Sequence, residues 1–344
     1  MDYKLLGKSG LRVSELCLGA MTFGNDWGWG AAKEECQKMF NAFVNQGGNF
    51  IDTANHYTQG SSEKIVGELV AGKRDEFVIA TKYTLSGRPN DPNGGGNHRK
   101  CMVTSLDASL KRMNTDYVDL YWVHAWDAFT PIEETMRALD DMVRAGKVLY
   151  VGISDAPAWK VAQANTLAEL RGWSQFVGLQ IEYSIAERAA ERDLIPMAQE
   201  FGLTITAWSP LAGGVLTGKY NLKENSNSRF SDANPMSNAF LTERNLNIAQ
   251  KVVDISRKNN VTPSQTALKW LLQKSKNIIP IIGAKSEKQL MDNLACLSAT
   301  INDNDMNDLN EISKIELGFP HDFLNLPMVR NLVYGENYSR IQVH

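Results

Sequence analysis

The sequence predicts an α/β protein with a (β/α)8 TIM-barrel fold, and two observations support this prediction. Eight short apolar runs, rich in β-branched and aromatic residues, recur along the 344 residues with helical patterns between them. Most runs are continuous rather than alternating, as expected of parallel strands that are buried on both faces. Strict alternation of strand and helix implies a parallel sheet with right-handed crossovers, and eight such units favour a closed barrel.

The predicted strands cover residues 15–18, 50–53, 77–82, 118–124, 148–154, 176–183, 203–208 and 278–282. The predicted helices cover residues 33–46, 61–70, 101–113, 131–145, 158–170, 189–201, 243–258, 263–272 and 286–297. Apolar residues at helical spacing identify these helices, and Gly47-Gly48 stops the first one. Pro131 and Pro263 suit first helical turns, with Thr130 and Thr262 as the capping residues.

An open dinucleotide-binding sheet is the alternative arrangement for alternating strands and helices. It requires G-x-G-x-x-G directly after the first strand. Gly19, Gly24, Gly28 and Gly30 follow that strand without this spacing, so the open sheet is rejected.

We therefore expect residues 1–344 to form one barrel domain, with long connections at 83–99 and 209–242 and a tail at 317–344. Both connections follow predicted strands, which places them on the C-terminal face of the barrel, where active sites form. They are either active-site loops or flexible surface loops.

The charge balance excludes several classes of partner. Lys and Arg total 36 and Asp and Glu total 39, giving a net charge of -3 and no basic surface for nucleic acid or an anionic membrane. No stretch approaches the ~20 apolar residues of a membrane span, and the N-terminus lacks the pattern of a signal peptide. We expect a cytoplasmic protein with reduced cysteines and no metal site. The oligomeric state stays open, with a homo-oligomer among the alternatives.

Ionisable side chains close three neighbouring predicted strands. Asp52 ends the second, Lys82 the third and His124 the fourth, and Tyr57 lies five residues beyond Asp52. Because the C-terminal ends of barrel strands converge, these four residues are candidates for one catalytic site. Taken singly, each has an ordinary alternative: a capping Asp, a solvated Lys, a packed Tyr or a satisfied core His.

A lysine beside a tyrosine favours proton donation by the tyrosine. The pKa of an isolated tyrosine is ~10. An ammonium ~4 Å away, at an effective dielectric constant of ~20, favours the phenolate by up to ~4 kcal/mol. We expect Lys82 to pull the pKa of Tyr57 toward neutrality and Asp52 to hold that lysine charged. His124 is expected to donate a hydrogen bond to a substrate oxygen.

The segment after the seventh strand is suited to binding phosphate. Gly213 and Gly214 allow close backbone approach, and Lys219 adds positive charge. The string GGVLTGK is close to a P-loop, but Tyr220 replaces the Ser or Thr that magnesium requires. A nucleotide triphosphatase is therefore rejected.

A second anion site is predicted after the eighth strand. Ser286 and Gln289 form a predicted capping box, which presents free amides of a helix N-terminus. Lys285 adds positive charge to this anion site.

Nine motifs occur in order along nearly the whole chain. They are LGAMTFG at 18–24, GGNFIDTANHY at 47–57, SEKIVGE at 62–68, ATKY at 80–83, DYVDLYWVHAWD at 116–127, GKVLYVGIS at 146–154, QIEYS at 180–184, AWSPLAGGVLTGKY at 207–220 and IIPIIGAKSEKQL at 278–290. Together they resemble the aldo-keto reductase superfamily, specifically its bacterial aryl-alcohol-dehydrogenase-like and potassium-channel β-subunit-like branches. The resemblance implies a TIM-barrel, NADPH-dependent carbonyl reductase whose catalytic tetrad falls on Asp52, Tyr57, Lys82 and His124.

The resemblance also implies a set of cofactor contacts. Ser154, Asp155 and Gln180 match residues that hydrogen-bond the nicotinamide carboxamide, and Trp208 matches the aromatic residue that stacks on the ring. Ala20 and Met21 lie near the ribose, and Asp52 is counted with the cofactor contacts. The pyrophosphate positions are Ser209, Pro210, Leu211, Ala212, Gly213 and Lys219. The NADP positions are Gly283, Lys285, Gln289, Asp292 and Asn293. With that cofactor implied, Lys285 suits an adenosine 2′-phosphate, and Arg229 would clamp the same cofactor from the long loop. No acidic residue is placed to demand a free 2′-hydroxyl, so NADP(H) is preferred over NAD(H).

Some of these positions depart from the family pattern. Asp155 stands where many relatives carry Asn, so it donates to the carboxamide oxygen only when protonated. Ala20 and Met21 replace bulkier or polar residues. Aromatic residues elsewhere either line a substrate pocket or simply pack; they are Trp27, Trp29, Trp126 and those of the tail.

The sequence therefore predicts an NADP(H)-dependent reductase of aldehydes or ketones, reversible toward alcohols, with Tyr57 as the general acid. Its expected partner is a small carbonyl or alcohol substrate. The alternative from another class is an NADP-sensing regulatory subunit that resembles potassium-channel β subunits and turns over little. Within enzymes, the alternative chemistry is NAD-linked oxidation of alcohols or sugars.

Overall fold

The computed structural model describes residues 1–221 and 237–342 and contains a closed barrel of eight strands. Every neighbouring pair in the barrel is parallel, in the strand order 278–282, 17–19, 50–52, 78–83, 118–123, 148–154, 176–182 and 204–208. The predicted TIM barrel is confirmed.

The strands are β1 (Tyr3–Leu5), β2 (Arg12–Ser14), β3 (Cys17–Gly19), β4 (Phe50–Asp52), β5 (Val78–Tyr83), β6 (Val118–Val123), β7 (Val148–Ser154), β8 (Phe176–Glu182), β9 (Thr204–Trp208) and β10 (Ile278–Ile282). The α-helices are α1 (Lys33–Asn45), α2 (Ser61–Leu69), α3 (Arg99–Met113), α4 (Ile132–Arg144), α5 (Ala158–Arg171), α6 (Leu194–Phe201), α7 (Ser237–Phe240), α8 (Glu243–Lys258), α9 (Pro263–Lys274), α10 (Glu287–Leu294), α11 (Asp303–Ile312), α12 (His321–Leu324) and α13 (Pro327–Tyr334).

A hairpin of β1 and β2 closes the N-terminal end of the barrel, and sequence reasoning missed it. The two strands pair antiparallel, and Leu6 and Val13 are buried against the barrel interior. Gly7, at the turn, has φ +59, and a Cβ there would lie 2.2 Å from the carbonyl oxygen of Val177. Only glycine fits this position, because both the conformation and the space exclude a side chain.

The barrel interior is filled below the C-terminal mouth by a tryptophan. Trp122 of β6 is fully buried. Gly152 and Gly178 on the next two strands make room for it, since a Cβ at either position would lie 2.3 or 2.8 Å from its ring. The packed interior supports the C-terminal ends of the strands rigidly from below. The polar side chains of the barrel mouth lie at those ends.

Several predicted boundaries need correction. Thr130 does not cap α4: its Oγ1 donates to Asp127 Oδ2 at 2.6 Å, and Pro131 itself occupies the cap position. The predicted helix at 189–201 begins only at Leu194, after a short 3-10 turn. At α9 the prediction is confirmed, because Thr262 and Gln265 form a capping box.

Both long connections start at the C-terminal ends of barrel strands, β5 for the first and β9 for the second. The first is tied down at its end, where the backbone N–H of Asn97 donates to Asp127 Oδ2 at 3.1 Å. Of the second, residues 209–221 and 237–242 belong to the described part. Arg229 lies outside the described residues, so its cofactor contact stays a prediction.

Candidate active site

Four of the predicted side chains meet at the mouth of the barrel. Asp52 ends β4, Lys82 lies near the end of β5, and His124 directly follows β6. Tyr57 lies in a 3-10 turn after β4, where it returns over the strand ends. Convergence of these four residues was predicted from the sequence, and the structure brings all four together.

Lys82 is the centre of the cluster. Its side chain is fully buried, and its Nζ donates to Asp52 Oδ2, to the Thr53 carbonyl oxygen at 2.8 Å and to the Tyr57 hydroxyl oxygen at 3.2 Å. Burial alone would lower the pKa of this ammonium, but Asp52 and Tyr57 outweigh burial and raise the pKa of Lys82. The lysine is therefore held charged, as expected.

The expected shift at Tyr57 is wrong in direction. Burial raises the pKa of Tyr57, and the attraction of Lys82 only partly offsets that effect. Asp52 adds to the effect of burial, because its carboxylate is paired with Lys82 and disfavours a second anion nearby. Tyr57 is therefore protonated throughout the neutral range, which is the form that can donate a proton.

His124 stands over the tyrosine in its neutral form. The two rings meet edge to face with centroids 5.8 Å apart. Burial and the nearby Lys82 lower the pKa of His124 to about 2. Its Nδ1 is buried and has no hydrogen-bond partner among the residues that the structure describes. A buried polar atom of this kind is satisfied by a bound water or a ligand.

A buried ion pair outside the barrel wall braces the strand that carries Lys82. Glu63 of α2 accepts from Thr81 Oγ1 at 2.5 Å and from Arg112 Nε of α3 at 2.6 Å. Because neighbouring strand residues point to opposite faces, Thr81 points outward where Lys82 points inward. Sequence reasoning missed this support, since the partners are 18 and 49 residues apart and no local pattern connects them.

The predicted carboxamide contacts are arranged around the same site. Gln180 Nε2 donates to Asp52 Oδ1 at 3.1 Å and to Thr206 Oγ1 at 3.4 Å, so its amide nitrogen is already engaged. Ser154 is buried, and its Oγ has no hydrogen-bond partner within the described residues. Trp208 Nε1 donates to Asp155 Oδ1 at 3.0 Å. Trp208 and Asp155 were expected to contact the cofactor separately, but in the structure they are hydrogen-bonded to each other.

Carboxylates lie beside this tryptophan. Although Asp155 remains accessible to solvent, the surrounding protein raises its pKa by desolvation, against the opposing effect of Trp208. Glu182 is opposite Trp208 in the β8–β9 register, and burial, Glu187 and Asp155 raise its pKa to about 7. Sequence reasoning missed Glu182, yet its spacing of two from Gln180 places both residues on one face of β8.

The segment after β9 has the backbone shape of a phosphate cradle. Ser209, Ala212, Gly213 and Gly214 all have positive φ, of 52, 49, 63 and 93. A Cβ at Gly214 would lie 3.0 Å from Lys219 Nζ, so the missing side chain lets the ammonium approach the turn. Pro210 and Leu211 complete this turn. The N–H groups of Ala212, Gly213 and Gly214 already donate to Ser209 and Leu211 within the turn, so the charge of Lys219 is the main attraction for a pyrophosphate here.

The second anion site differs from its prediction. Ser286 caps α10 by accepting from Gln289 N at 3.3 Å, but the Gln289 side chain accepts from Lys285 N at 2.9 Å, so no capping box closes. The N–H of Glu287 donates to Glu35 Oε1 of α1 at 2.8 Å. The backbone N–H groups of Lys285 and Glu287 were expected to be free but are both occupied. The Glu287 N–H is occupied by the carboxylate of Glu35, which is distant in sequence.

The remaining predicted cofactor positions divide into two groups. Gly283, Lys285 and Gln289 are exposed at the surface. Asp292 instead accepts from Thr262 Oγ1 and Gln265 Nε2 and ties α10 to α9, and Asn293 Nδ2 donates to the Gly283 carbonyl at 3.2 Å. Ala20 is buried, with its N–H on the Asp52 carbonyl, and Met21 is half-buried.

Aromatic side chains border the tetrad. The Trp27 ring lies 6.3 Å from the Tyr57 ring, and Trp29 lies 5.5 Å from Trp27. Of the tail aromatics, Phe319 packs on Phe323. Within residues 1–221 and 237–342, no group of three or more His, Cys, Asp or Glu is placed to hold a metal ion. None of the helices in that same part of the chain has both the length and the apolar character to cross a membrane.

Comparisons with known proteins match this site to a family. The model of the Aldo/keto reductase family matches residues 15–314. Norsolorinic acid reductase stcV of Emericella nidulans is 38% identical over 92% of this chain and 82% of its own. Aryl-alcohol dehydrogenase GME11368 of Pestalotiopsis microspora is 37% identical over 94% and 85%. Aryl-alcohol dehydrogenase (NADP(+)) of Phanerodontia chrysosporium is 36% identical over 91% and 86%.

The matched residues include all eight barrel strands and the four converging side chains. The family and the NADP(+)-named relative indicate a nicotinamide cofactor. The chain therefore belongs to the Aldo/keto reductase family and is an oxidoreductase that acts on carbonyl and alcohol groups.

Proposed function

We propose that this protein reduces aldehydes or ketones with NADPH, reversibly toward the alcohol, and that Tyr57 is the general acid. The observation that supports this proposal is the position of the Tyr57 hydroxyl. It lies 3.2 Å from the ammonium of Lys82, which is itself buried and paired with Asp52. A protonated phenol beside a fixed positive charge is equipped to give up its proton to a substrate oxygen.

The residues around the mouth fit a nicotinamide cofactor. Ser154 Oγ, at the end of β7, is a buried polar atom that lacks a partner within the described residues, and we assign it to the carboxamide. The left-handed turn at 209–214, with Lys219, would hold the pyrophosphate, and Lys285 with Gln289 would hold the adenosine phosphate. Bound there, a reduced nicotinamide supplies the hydride that the carbonyl carbon accepts.

The tetrad performs the proton chemistry. As negative charge develops on the carbonyl oxygen, Tyr57 transfers its hydroxyl proton to that oxygen. Lys82 stabilises the phenolate that remains, because its ammonium is already within hydrogen-bond distance. Asp52 and the Thr53 carbonyl keep the ammonium in place. Proton transfer by a positioned group contributes ~10²–10⁴-fold to the rate.

His124 orients the substrate. With a pKa of about 2, its ring is neutral, so it offers one N–H donor and no positive charge. A neutral donor at the carbonyl oxygen positions the substrate without competing with Tyr57 for the role of acid. In the reverse direction, the same N–H holds the alcohol oxygen while the Tyr57 phenolate accepts its proton.

We propose aromatic carbonyl compounds as the substrate class. Trp27 stands edge to face with Tyr57, and the Trp29 ring lies 5.5 Å from the Trp27 ring. Flat apolar substrates gain from packing against such rings. Two of the relatives are named aryl-alcohol dehydrogenases, which agrees with this substrate class.

A titration followed by turnover tests the proposal. NADPH and then NADH are added to the protein while tryptophan fluorescence is recorded, and 4-nitrobenzaldehyde is added to the NADPH sample. We expect tighter binding of NADPH than of NADH, then loss of the absorbance of the reduced cofactor. Lys285→Ala should weaken NADPH more than NADH, and equal weakening would remove Lys285 from the phosphate site. Binding without turnover of any aromatic aldehyde would favour the NADP-sensing alternative instead.

A further inference from the structure

The C-terminal tail, residues 317–342, turns nearly all of its apolar side chains toward solvent. Val329 is its one buried residue within the described part of the chain. Ten large apolar or aromatic side chains are 44% to 84% exposed. They are Phe319, Phe323, Leu324, Leu326, Met328, Leu332, Val333, Tyr334, Tyr338 and Ile341.

The tail is nevertheless folded and fixed to the barrel. The guanidinium of Arg192 donates to the Glu316 carbonyl at 3.0 and 3.2 Å, and His321 Nε2 lies 3.2 Å from Asp193 Oδ1. Inside the tail, the guanidinium carbon of Arg330 lies 4.8 Å from the centroid of the Tyr338 ring. Asp193 directly precedes α6, so the attachment is on the C-terminal face of the barrel.

A short helix with an exposed apolar face is not stable by itself. Helices of fewer than about 12 residues depend on packing rather than on intrinsic propensity. The α13 helix has eight residues, and Met328 and Leu332 lie one turn apart on one exposed side of it. This side of α13 therefore needs a covering surface.

The exposed area has the size of a protein interface. At about 150–250 Å² for an aromatic side chain and somewhat less for an aliphatic one, the exposed fractions of the ten residues amount to roughly 1,000 Å² open to solvent. The largest apolar patch on a typical monomer is about 300–600 Å². A standard interface buries about 800 Å² on each partner. One tail thus supplies enough surface for half of a stable interface.

The charge of the tail is suited to pairing with itself. Residues 317–342 contain Asp322 and Glu336 against Arg330 and Arg340, and no lysine. In a two-fold interface the same patch faces itself, so a patch with a large net charge would be repelled. A patch with balanced charge is not repelled by its own copy. The composition of the tail also fits, because interface cores are depleted in lysine and enriched in arginine, methionine and aromatic residues.

We propose that a second copy of this chain covers the tail, in a two-fold dimer whose interface is centred on the exposed side of α13. Leu332 and Met328 lie near the centre of that interface. This proposal is independent of the cofactor and of the reaction, since it depends only on the tail surface.

The test measures molar mass in solution for the full chain and two matched variants. Leu332 and Leu170 of α5 are both 79% exposed, so Leu332→Glu and Leu170→Glu make the same change at equal exposure. We expect the wild-type protein and Leu170→Glu to have a mass near twice 38.3 kDa at 10 µM by light scattering. Leu332→Glu should be a monomer, with a dissociation constant at least 100-fold weaker.

A second variant and a check of the fold show whether a monomeric result comes from the interface alone. Met328→Glu should also be monomeric, and both monomeric variants should keep the near-ultraviolet circular dichroism of the barrel. A monomeric wild-type protein would overturn the proposal. The exposed side of the tail would then be covered by another protein or by the barrel of the same chain. A dimer that survives both tail substitutions would overturn it too, because the interface would then lie elsewhere.

Discussion

The indole Nε1 of Trp208 donates a hydrogen bond to Asp155 Oδ1 at 3.0 Å, and this contact joins the ends of β9 and β7 at the barrel mouth. The indole has only a donor and the ionised carboxylate only acceptors, so the pair is matched in polarity. It also brings a negative charge next to the position assigned to the nicotinamide ring. That ring is positively charged in NADP+ and neutral in NADPH.

We therefore expect Asp155→Asn to weaken NADP+ binding more than NADPH binding. Asparagine keeps an oxygen that accepts from Trp208 and removes only the charge. A charge effect of about 1 kcal/mol at this partly exposed site corresponds to a roughly fivefold change in the ratio of the two dissociation constants. Titrations of both cofactor forms by tryptophan fluorescence measure that ratio.

The matched control is Asp155→Ala, which removes the charge and the acceptor together. It should change the ratio of the dissociation constants as Asn does and also weaken both cofactor forms, because Trp208 loses its partner. An unchanged ratio in Asp155→Asn would show that the carboxylate does not act on the nicotinamide.

Glu35 is expected to weaken binding of the 2′-phosphate. Its carboxylate accepts from Glu287 N at the start of α10, beside Lys285, so an incoming phosphate meets a negative charge and an occupied amide. Glu35→Gln should tighten the binding of adenosine 2′-monophosphate several-fold, as measured by calorimetry. Glu34→Gln, the neighbouring acidic residue on α1, should have little effect. Equal effects of the two variants would indicate only a general change in charge.

The buried His124 makes stability dependent on pH. Its pKa is about 2 in the folded protein and about 6.5 when unfolded, so below pH ~6.5 the unfolded chain binds a proton that the folded chain does not. The free energy of unfolding therefore decreases as the pH falls below about 6.5, by up to about 1.4 kcal/mol per pH unit. Urea unfolding at pH 7.5, 6.0 and 5.0 measures this loss. His124→Asn should reduce the slope of the unfolding free energy against pH.

The order of the barrel strands was predictable because each strand is one continuous apolar run. Strands that are neighbours in the barrel are also consecutive along the chain. The hairpin of β1 and β2 was missed because each strand has only three residues and lacks an apolar run. The tail helices α12 and α13 were missed because their apolar residues are exposed and therefore follow no core-facing pattern.

The tetrad was predictable because Asp52, Lys82 and His124 close three neighbouring strands, which a barrel must bring together. The contact of Glu35 with Glu287 was not predictable, since 252 residues separate the two and only the packing of α1 on α10 joins them. The direction of the Tyr57 pKa was wrong because the sequence shows the neighbouring charges but not the cost of burial.

The most direct test of the central claim is the rate of a single turnover in Tyr57→Phe, with NADPH and an aromatic aldehyde. Phenylalanine keeps the ring that packs against His124 and Trp27 and removes only the hydroxyl. We predict a rate at least ~100-fold lower than wild type, with the NADPH dissociation constant nearly unchanged. A variant that reduces the aldehyde as fast as the wild type would show that Tyr57 is not the acid.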